Sequence, residues 1–179
     1  MHGVPERDGA RRQVRRFFVV VVAVLNLLAV DAAAKQLAVA RLKGSKPVVV
    51  VQGLFDLAYV ENRGCAWGMF QGQVWPLAVF GIVALAFLVW KRRSVFGGPG
   101  ASIAAARLGA VAEPLLYAGI VGNLTDRLSR GFVVDMLDFH WGASHFPCFN
   151  LADSYITVSV GLLLLAALLE PRHNGEKAS

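Results

Sequence analysis

The amino-acid sequence predicts an all-α integral membrane protein with four transmembrane helices and a small extracytoplasmic β-sheet. Of its 179 residues, 56% are hydrophobic, whereas soluble domains contain about 45–50%. The mean hydropathy is +0.53. The apolar residues are concentrated in a few long runs, and basic clusters lie beside these runs. Together these features indicate that most of the chain forms one membrane domain.

Four runs are long and apolar enough to be spans, because a helix needs about 17–25 mostly apolar residues to cross the hydrocarbon core. The first begins after a basic segment and ends near Ala32-Ala33-Ala34, so it also fits a secretory signal with a cleavage site. Three further runs, and Asp31 within the supposed cleavage region, favour a retained anchor. The predicted spans are residues 17–34, 74–90, 103–122 and 151–169.

The basic clusters predict the orientation. Arginines at 11–16 and the cluster 91–93 flank apolar runs, and the positive-inside rule places both in the cytoplasm. We therefore expect a basic cytoplasmic N-terminus (1–16), a transmembrane domain (17–170) and a cytoplasmic tail (171–179). The bias is imperfect, since the first outer segment also carries cations. The net charge of +6 does not indicate nucleic-acid binding, because no basic–aromatic recognition motif accompanies it.

Two segments then lie outside the cytoplasm. In the first, about 38–73, Val48–Val51 and residues 54–60 are rich in β-branched and aromatic side chains and are separated by Gly53. This pattern predicts short strands, which we expect to form a cradle on the outer membrane face. The second segment, about 123–150, is expected to be a loop.

Ionisable and amide side chains recur at the predicted outer ends of the spans. Such groups are costly near a membrane, so their convergence at one depth predicts a functional site. Each also has a structural interpretation: Asp31 and Lys35 fit an i,i+4 ion pair, Asp153 fits the first turn of a helix capped by Asn150, and Asp135 could be a solvated loop carboxylate. The convergent residues are Asp31, Lys35, Asn123, Asp126, Arg127, Asp135 and Asp153.

Other interpretations remain open at this point. Glu113 lies near the middle of the third span, and with Asp31 and Asp153 it could form the ion path of a non-enzymatic transport or channel subunit. A serine protease would need Ser154 to pair with His140, but no glycine-framed nucleophile motif surrounds Ser154. Asp135, Asp138 and His140 could suggest a metal, although we expect none.

Four motifs, in order, resemble one family. They are residues 62–68 (NRGCAWG), 119–127 (GIVGNLTDR), 131–135 (GFVVD) and 149–154 (FNLADS). Asp31 and Lys35 match the aspartate–lysine pair of its first helix. The chain resembles the lipoprotein signal peptidase (signal peptidase II) family over residues 17–170. It departs from the pattern at Cys65 and Ala118, where alanine and glycine are usual, and Glu113 matches nothing in it.

The resemblance implies an aspartic endopeptidase that needs no cofactor or metal, with Asp135 and Asp153 as its catalytic pair. The implied substrate is a prolipoprotein whose signal peptide is removed just before a diacylglyceryl-modified cysteine. We expect a monomer in the bacterial inner membrane, in contact with lipid, whose active site faces the periplasm. The implied substrate-binding residues are Asn62, Asn123, Arg127 and Asn150, and the supporting residues are Asp31, Lys35, Gly64, Gly122 and Asp126.

Overall fold

The structure, a computed structural model, describes residues 5–65, 67, 69–98 and 100–170. The tail predicted at 171–179, like Ala66 and Gly68 of the first motif, lies outside the described residues. The described residues form five helices and four strands in the order α1 (Pro5–Leu42), β1 (Val48–Val51), β2 (Phe55–Asn62), α2 (Val74–Trp90), α3 (Arg92–Val95), α4 (Ile103–Arg130), β3 (Val133–Trp141), β4 (Ser144–His145) and α5 (Leu151–Leu169).

The helices give the chain the character of a membrane protein. Within the described residues, three helical segments are long and apolar enough to span a bilayer: Gln13–Leu42 of α1, α4 and α5. Helix α2 is apolar but has only 17 residues, so a fourth span at 74–90 remains a prediction. Helices α1 and α4 both continue about two turns beyond their predicted ends.

Local sequence explains where the helices begin and end. The Ser102 side chain accepts a hydrogen bond from Ala105 N and caps the start of α4. Gly131 ends α4 in the left-handed conformation at φ 75°, and its N–H donates to Arg127 O. Asn150 and Asp153 form a reciprocal capping box at the start of α5. Two of these three ends lie beside the predicted site.

The four strands form one antiparallel sheet in the order β1-β2-β3-β4. The prediction that residues 123–150 form a loop is wrong, because α4 runs on to Arg130 and β3 follows almost at once. Asp135 therefore lies on a strand, paired with Val60 of β2. Strand β3 reads VVDMLDFHW, and its β-branched and aromatic side chains favour an extended backbone.

A small apolar cluster packs the sheet against the end of α1. Ala38 and Leu42 of α1 contact Val134 and Met136 of β3, and all four are buried. Because side chains alternate along a strand, the intervening Asp135 points to the opposite face. The extension of α1 beyond its predicted end thus fixes the strand that carries Asp135.

In the first half of α4, Glu113 forms an ion cluster. The Glu113 side chain is fully buried. Arg16 Nη2 of α1 donates to Glu113 Oε2 at 2.9 Å and to Phe96 O at 3.1 Å, and Arg92 Nε donates to Glu113 Oε1. Glu113 lies about 15 Å along α4 from Asn123. It is therefore separated from Asn123, and it ties α1 to α4 and to α3.

Candidate active site

The start of α5 fixes the side chain of Asp153. Asn150 Oδ1 accepts a hydrogen bond from Asp153 N at 3.0 Å, and Asn150 N donates to Asp153 Oδ2 at 3.2 Å. Asp153 is partly exposed, whereas Asn150 is fully buried. Asp153 therefore caps its helix, as the structural interpretation predicts, and is at the same time accessible to a ligand.

Two asparagine amides link Asp153 to Asp135. Asn150 Nδ2 donates to Asp135 Oδ1 at 2.7 Å and to Asn123 Oδ1 at 3.1 Å. Asn123 Nδ2 in turn donates to Asp153 Oδ1 at 2.7 Å. Asp135, Asn123 and Asn150 are all buried. The two predicted catalytic carboxyls therefore belong to one network in which their nearest partners are neutral donors.

Asn62, at the end of β2, binds the other oxygen of Asp135. Asn62 Nδ2 donates to Asp135 Oδ2 at 2.9 Å, and Asn62 Oδ1 accepts from Gly64 N at 2.9 Å. A Cβ on Gly64 would lie 2.4 Å from Met69 O, so the loop can pass here only with glycine. Arg127 Nη2 donates to Gly64 O at 3.0 Å, which places the guanidinium beside this loop.

A buried ion cluster supports the network from behind. Lys35 Nζ lies 2.8 Å from Asp31 Oδ2, 3.1 Å from Asp126 Oδ2 and 3.4 Å from Asn123 Oδ1. Only 2% of Lys35 is exposed. Because an ammonium only donates, it directs the carbonyl of the Asn123 amide towards itself. The amide nitrogen is then left to face Asp153.

The same two carboxylates bind the backbone of the elements that carry the site. Asp31 Oδ1 accepts from Ala152 N at 3.0 Å, and Asp126 Oδ2 accepts from Val134 N at 3.2 Å. A Cβ on Gly122 would lie 2.8 Å from Asp31 Oδ2, so glycine permits this close approach of α1 to α4. The cluster thereby fixes the first turn of α5 and the start of β3.

Asp126 also pairs with a residue beyond the predicted third span. Its second oxygen lies 3.2 Å from Arg130 Nε. Sequence analysis missed Arg130 because the predicted third span ended at residue 122. The i,i+4 spacing of Asp126 and Arg130 is a signal that could have identified this pair.

Two cavities meet at Asp153. One, of about 540 Å³, runs between α5 and the segment that precedes it, and the other, of about 960 Å³, runs between α2 and α4. Asn123 and Arg127 line both cavities, as does Cys65. Cys148 lines the smaller one, and burial raises the pKa of its thiol to about 12. An extended ligand can therefore pass the carboxyl of Asp153 on two sides.

Burial changes the proton affinity of Asp135. Only 1% of the residue is exposed. Burial raises its pKa to about 7, and the nearby negative charge of Asp153 acts in the same direction. The hydrogen bonds from Asn62 and Asn150 oppose this rise, since they stabilise the ionised form. Asp135 can therefore either hold or release a proton near neutral pH.

The structure does not bring together the residues of the other enzymatic interpretations. Ser154 Oγ donates to Asn150 O at 3.1 Å, and His140 Nε2 lies 3.4 Å from Asp56 Oδ2. Asp138 contacts His145 Nδ1 at 2.9 Å rather than Asp135. In the part of the chain that the structure describes, no group of three or more His, Cys, Asp or Glu side chains could hold a metal ion.

Comparisons with known proteins find relatives over most of the chain. The sequence model of the family described as Signal peptidase (SPase) II matches residues 22–169. A protein named lipoprotein signal peptidase from Syntrophotalea carbinolica is 40% identical over 157 residues, which cover 86% of this chain and 93% of that protein. One from Geobacter metallireducens is 35% identical over 164 residues and covers 90% and 96%. A solved bacterial membrane enzyme aligns with a TM-score of 0.71 at 28% identity and covers 90% of this chain and 94% of its own.

Proposed function

Because the chain belongs to the signal peptidase II family, we propose that it removes signal peptides from prolipoproteins as a membrane aspartic endopeptidase with Asp135 and Asp153 as its dyad. The observation that carries the proposal is the pair of asparagine amides that connects these two carboxyls. Neutral donors leave the pair free to share one proton, which aspartic proteolysis requires. The transport interpretation is not favoured, because Glu113 lies far from this pair in an ion cluster of its own.

The geometry suggests different roles for the two carboxyls. Asp153 lies in the first turn of α5 and accepts a hydrogen bond from Asn150 N, near the positive end of the helix dipole. We assign it the ionised state that removes a proton from water. Asp135, whose pKa is raised to about 7, donates its proton to the scissile carbonyl oxygen. The titration belongs to the pair as a whole.

The reaction then proceeds by general acid–base catalysis. Water oxygen bonds to the carbonyl carbon, Asp153 takes the water proton, and the carbonyl oxygen takes the proton of Asp135. In the resulting diol, Asp135 accepts a hydroxyl proton as the carbonyl reforms. The C–N bond breaks as Asp153 transfers its proton to the leaving nitrogen, so the dyad returns to its starting state.

We further propose how the chain binds its substrate. Its substrate is the diacylglyceryl-modified prolipoprotein, cut just before the lipidated cysteine. Arg127 lines both cavities and is suited to bind peptide carbonyls through its several donors. Asn62 also lines the smaller cavity, but its amide, like those of Asn123 and Asn150, already donates to the dyad. We therefore assign these three asparagines to positioning the dyad.

The location of the enzyme completes the proposal. We propose four spans in the bacterial inner membrane, with both termini in the cytoplasm and the dyad at the periplasmic face. The start of α5 then lies at the outer boundary of the hydrocarbon. A signal helix could remain in the bilayer while its end reaches Asp153. We expect the enzyme to act as a monomer in contact with membrane lipid.

Substitution of the dyad tests the proposal. Wild type, Asp135→Asn and Asp153→Asn would be reconstituted with a diacylglyceryl-modified prolipoprotein, and release of the signal peptide would be followed by mass spectrometry. We expect each variant to lose at least about 1000-fold in rate, because either change removes the shared acid–base function. Asp138→Asn is the matched control, since Asp138 lies on the same strand but contacts His145. Wild-type rates in either dyad variant would reject the assignment.

Two further measurements refine it. We expect an unlipidated prolipoprotein to be cut slowly, and equal rates for both substrates would reject lipid recognition. We also expect the rate to fall as the pH rises through about 7, because the dyad then loses its shared proton. A rate that stays constant far above that pH would contradict the acid role of Asp135.

A further inference from the structure

Two cysteines from distant parts of the chain line one cavity of the candidate active site. Cys65 follows β2 and Cys148 precedes α5, and both line the smaller cavity beside Asp153. The sequence contains no other cysteine. Neither thiol has a role in the proposed cleavage, so the chemistry of the dyad does not account for the pair.

Contacts on both sides of the cysteines hold their two segments together. On one side, Asn62 and Asn150 donate to the two oxygens of Asp135, at 2.9 Å and 2.7 Å. On the other side, the rings of Trp67 and Phe146 meet edge to face with their centroids 5.5 Å apart. Each cysteine lies between these two points of contact in its own segment.

The spacing of the ring contact predicts that the cysteines face each other. Trp67 lies two residues after Cys65, whereas Phe146 lies two residues before Cys148. The two segments therefore pass each other in opposite directions, and positions 65 and 148 share the register of the ring contact. Facing residues on paired antiparallel strands have Cα atoms about 4.5–5.5 Å apart, and a disulfide requires about 4.4–6.8 Å.

The segment after β2 has a conformation that a covalent link would stabilise. Trp67 and Phe70 are 68% and 63% exposed, and their φ angles are 61° and 56°. This left-handed region is unfavourable for bulky side chains. A link at Cys65 would limit the other conformations that this exposed segment could adopt.

We propose that Cys65 and Cys148 form a disulfide that joins the segment after β2 to the segment before α5 across the smaller cavity. Disulfides persist in oxidising compartments, so the link requires the periplasmic position of the site that is part of the proposed function. It fixes two segments that line the cavity beside Asp153.

Formation of the link needs an external disulfide as oxidant, such as oxidised glutathione or a periplasmic thiol oxidase. The thiolate of one cysteine attacks this oxidant, forms a mixed disulfide and displaces one thiolate. The second cysteine then attacks the protein sulfur of the mixed disulfide, and the other thiolate leaves. The protein thereby loses two protons and two electrons, and the oxidant becomes two thiols.

We assign the first attack to Cys65. It lines both cavities, and its sulfur makes only a weak hydrogen bond with Met69 O at 3.5 Å, which the disulfide would replace. Burial raises the pKa of Cys148 to about 12, so little of its reactive thiolate is present near neutral pH. Cys148 is therefore the resolving thiol.

Counting thiols tests whether the disulfide exists. Membranes that contain the wild type would be quenched with acid, and the denatured protein would be labelled with maleimide–polyethylene glycol before and after reduction. We expect no label before reduction and label on both cysteines after it. Two labelled thiols before reduction would overturn the proposal, as would a disulfide-linked dimer on a non-reducing gel. The count needs no turnover, so Asp135→Asn should give the same result even if the dyad assignment fails.

Single-cysteine variants test the order of attack. Reduced Cys148→Ser and Cys65→Ser would be purified in detergent and treated with oxidised glutathione, and the mixed disulfide would be followed by mass spectrometry. We expect it to form at least about 10-fold faster in Cys148→Ser, which keeps Cys65. Equal rates, or a faster reaction of Cys65→Ser, would overturn the assigned order.

Thermal unfolding tests what the link does. Reduction of the oxidised wild type should lower its melting temperature by about 5–10 °C, because the unfolded chain gains freedom when the link is cut. Cys65→Ser and Cys148→Ser are the matched controls, and the same reductant should leave their melting temperatures unchanged. A wild type that melts at one temperature in both redox states would overturn the stabilising role.

Discussion

Two buried charge clusters lie beside opposite halves of α4 and are built in different ways. In the cluster beside the first half, which we call the inner cluster, Glu113 lies between two guanidinium groups whose side chains are 40% (Arg16) and 31% (Arg92) exposed. In the cluster beside the second half, which we call the outer cluster, Lys35 lies between two carboxylates and all three side chains are at least 93% buried. The inner cluster is partly exposed on its cationic side, whereas the outer cluster is enclosed.

The difference separates the charged groups that hold the helices together from the carboxyls that are suited to exchange protons. Lys35 of the outer cluster contacts Asn123, and in the described residues the hydrogen-bond donors to the side chains of Asp135 and Asp153 are neutral amides. If a lysine or arginine contacted the dyad, it would stabilise both carboxylates in the ionised form and prevent proton sharing. Glu113 has such cationic partners. It therefore joins helices but is not suited to acid–base chemistry.

The largest effect is expected from removing the cation of the outer cluster. Lys35→Met leaves Asp31 and Asp126 close together and buried without a counter-charge, which should cost about 3–5 kcal/mol of unfolding free energy. Cleavage should fall as well, because Asn123 loses the donor that orients its amide. Lys43→Met, which breaks an exposed pair with Glu61, should leave stability nearly unchanged, because water screens this pair. Thermal unfolding in detergent would measure the stability of both variants. Similar losses of stability would contradict the expected difference between the buried and the exposed lysine.

The pH dependence of stability should depend on Asp135. Its pKa is about 7 in the folded chain, against an ordinary value of 3.8. As the pH rises between these values, the unfolded chain releases this proton while the folded chain keeps it, so stability falls and then levels off. Asp135→Asn removes this dependence. The difference between variant and wild type should change by up to about 4 kcal/mol, and parallel unfolding curves across this range would contradict the prediction.

A single methyl group probes the tight packing of the outer cluster. Gly122→Ala places a Cβ 2.8 Å from Asp31 Oδ2, and we expect a loss of about 1–3 kcal/mol because α1 and α4 must separate. Gly161→Ala on α5 meets nothing within 4 Å and should stabilise the helix by about 0.5–1 kcal/mol. Equal effects on the melting temperature would show that the approach at Gly122 is not constrained.

The smallest effect is expected at the inner cluster. Glu113→Gln keeps the shape of the side chain, and water can solvate the exposed parts of both arginines, so we expect a loss of about 1–2 kcal/mol. Cleavage should remain within about twofold of wild type, because Glu113 is remote from the dyad. Asp126→Asn should be more costly, since its partner Lys35 is enclosed. A larger drop in melting temperature for Glu113→Gln than for Asp126→Asn would contradict the expected difference between the two clusters.

Helices with a continuous apolar pattern could be predicted closely from the sequence. Helices α2 and α5 begin and end at the predicted residues, because turn and capping residues bound their apolar runs. The ends of α1 and α4 could not be predicted this way. Both helices continue through polar residues that hydropathy counts as unfavourable, whereas the fold neutralises Asp31, Lys35 and Asp126 against one another.

The members of the site could be named from the motifs, but their contacts could not. The amide of Asn123 lies between Lys35 and Asp153, which are 88 residues before it and 30 after it, and no local pattern encodes this arrangement. The contact of Glu113 with Arg16 could not be predicted for the same reason, because Arg16 is 97 residues away. The strand position of Asp135 was missed because a short segment between two spans is usually a turn, and only its pairing with β2 makes it a strand.

The reciprocal cap at the start of α5 has a consequence for regulation and inhibition. Asp153 closes the first turn of its own helix through Asn150, so the carboxyl that we propose to be catalytic keeps this position only while that turn is wound. A molecule that frayed this single turn would switch off the chemistry without occupying either cavity. Conversely, a ligand that accepts a hydrogen bond from Asp153 N would compete with the side chain of Asn150.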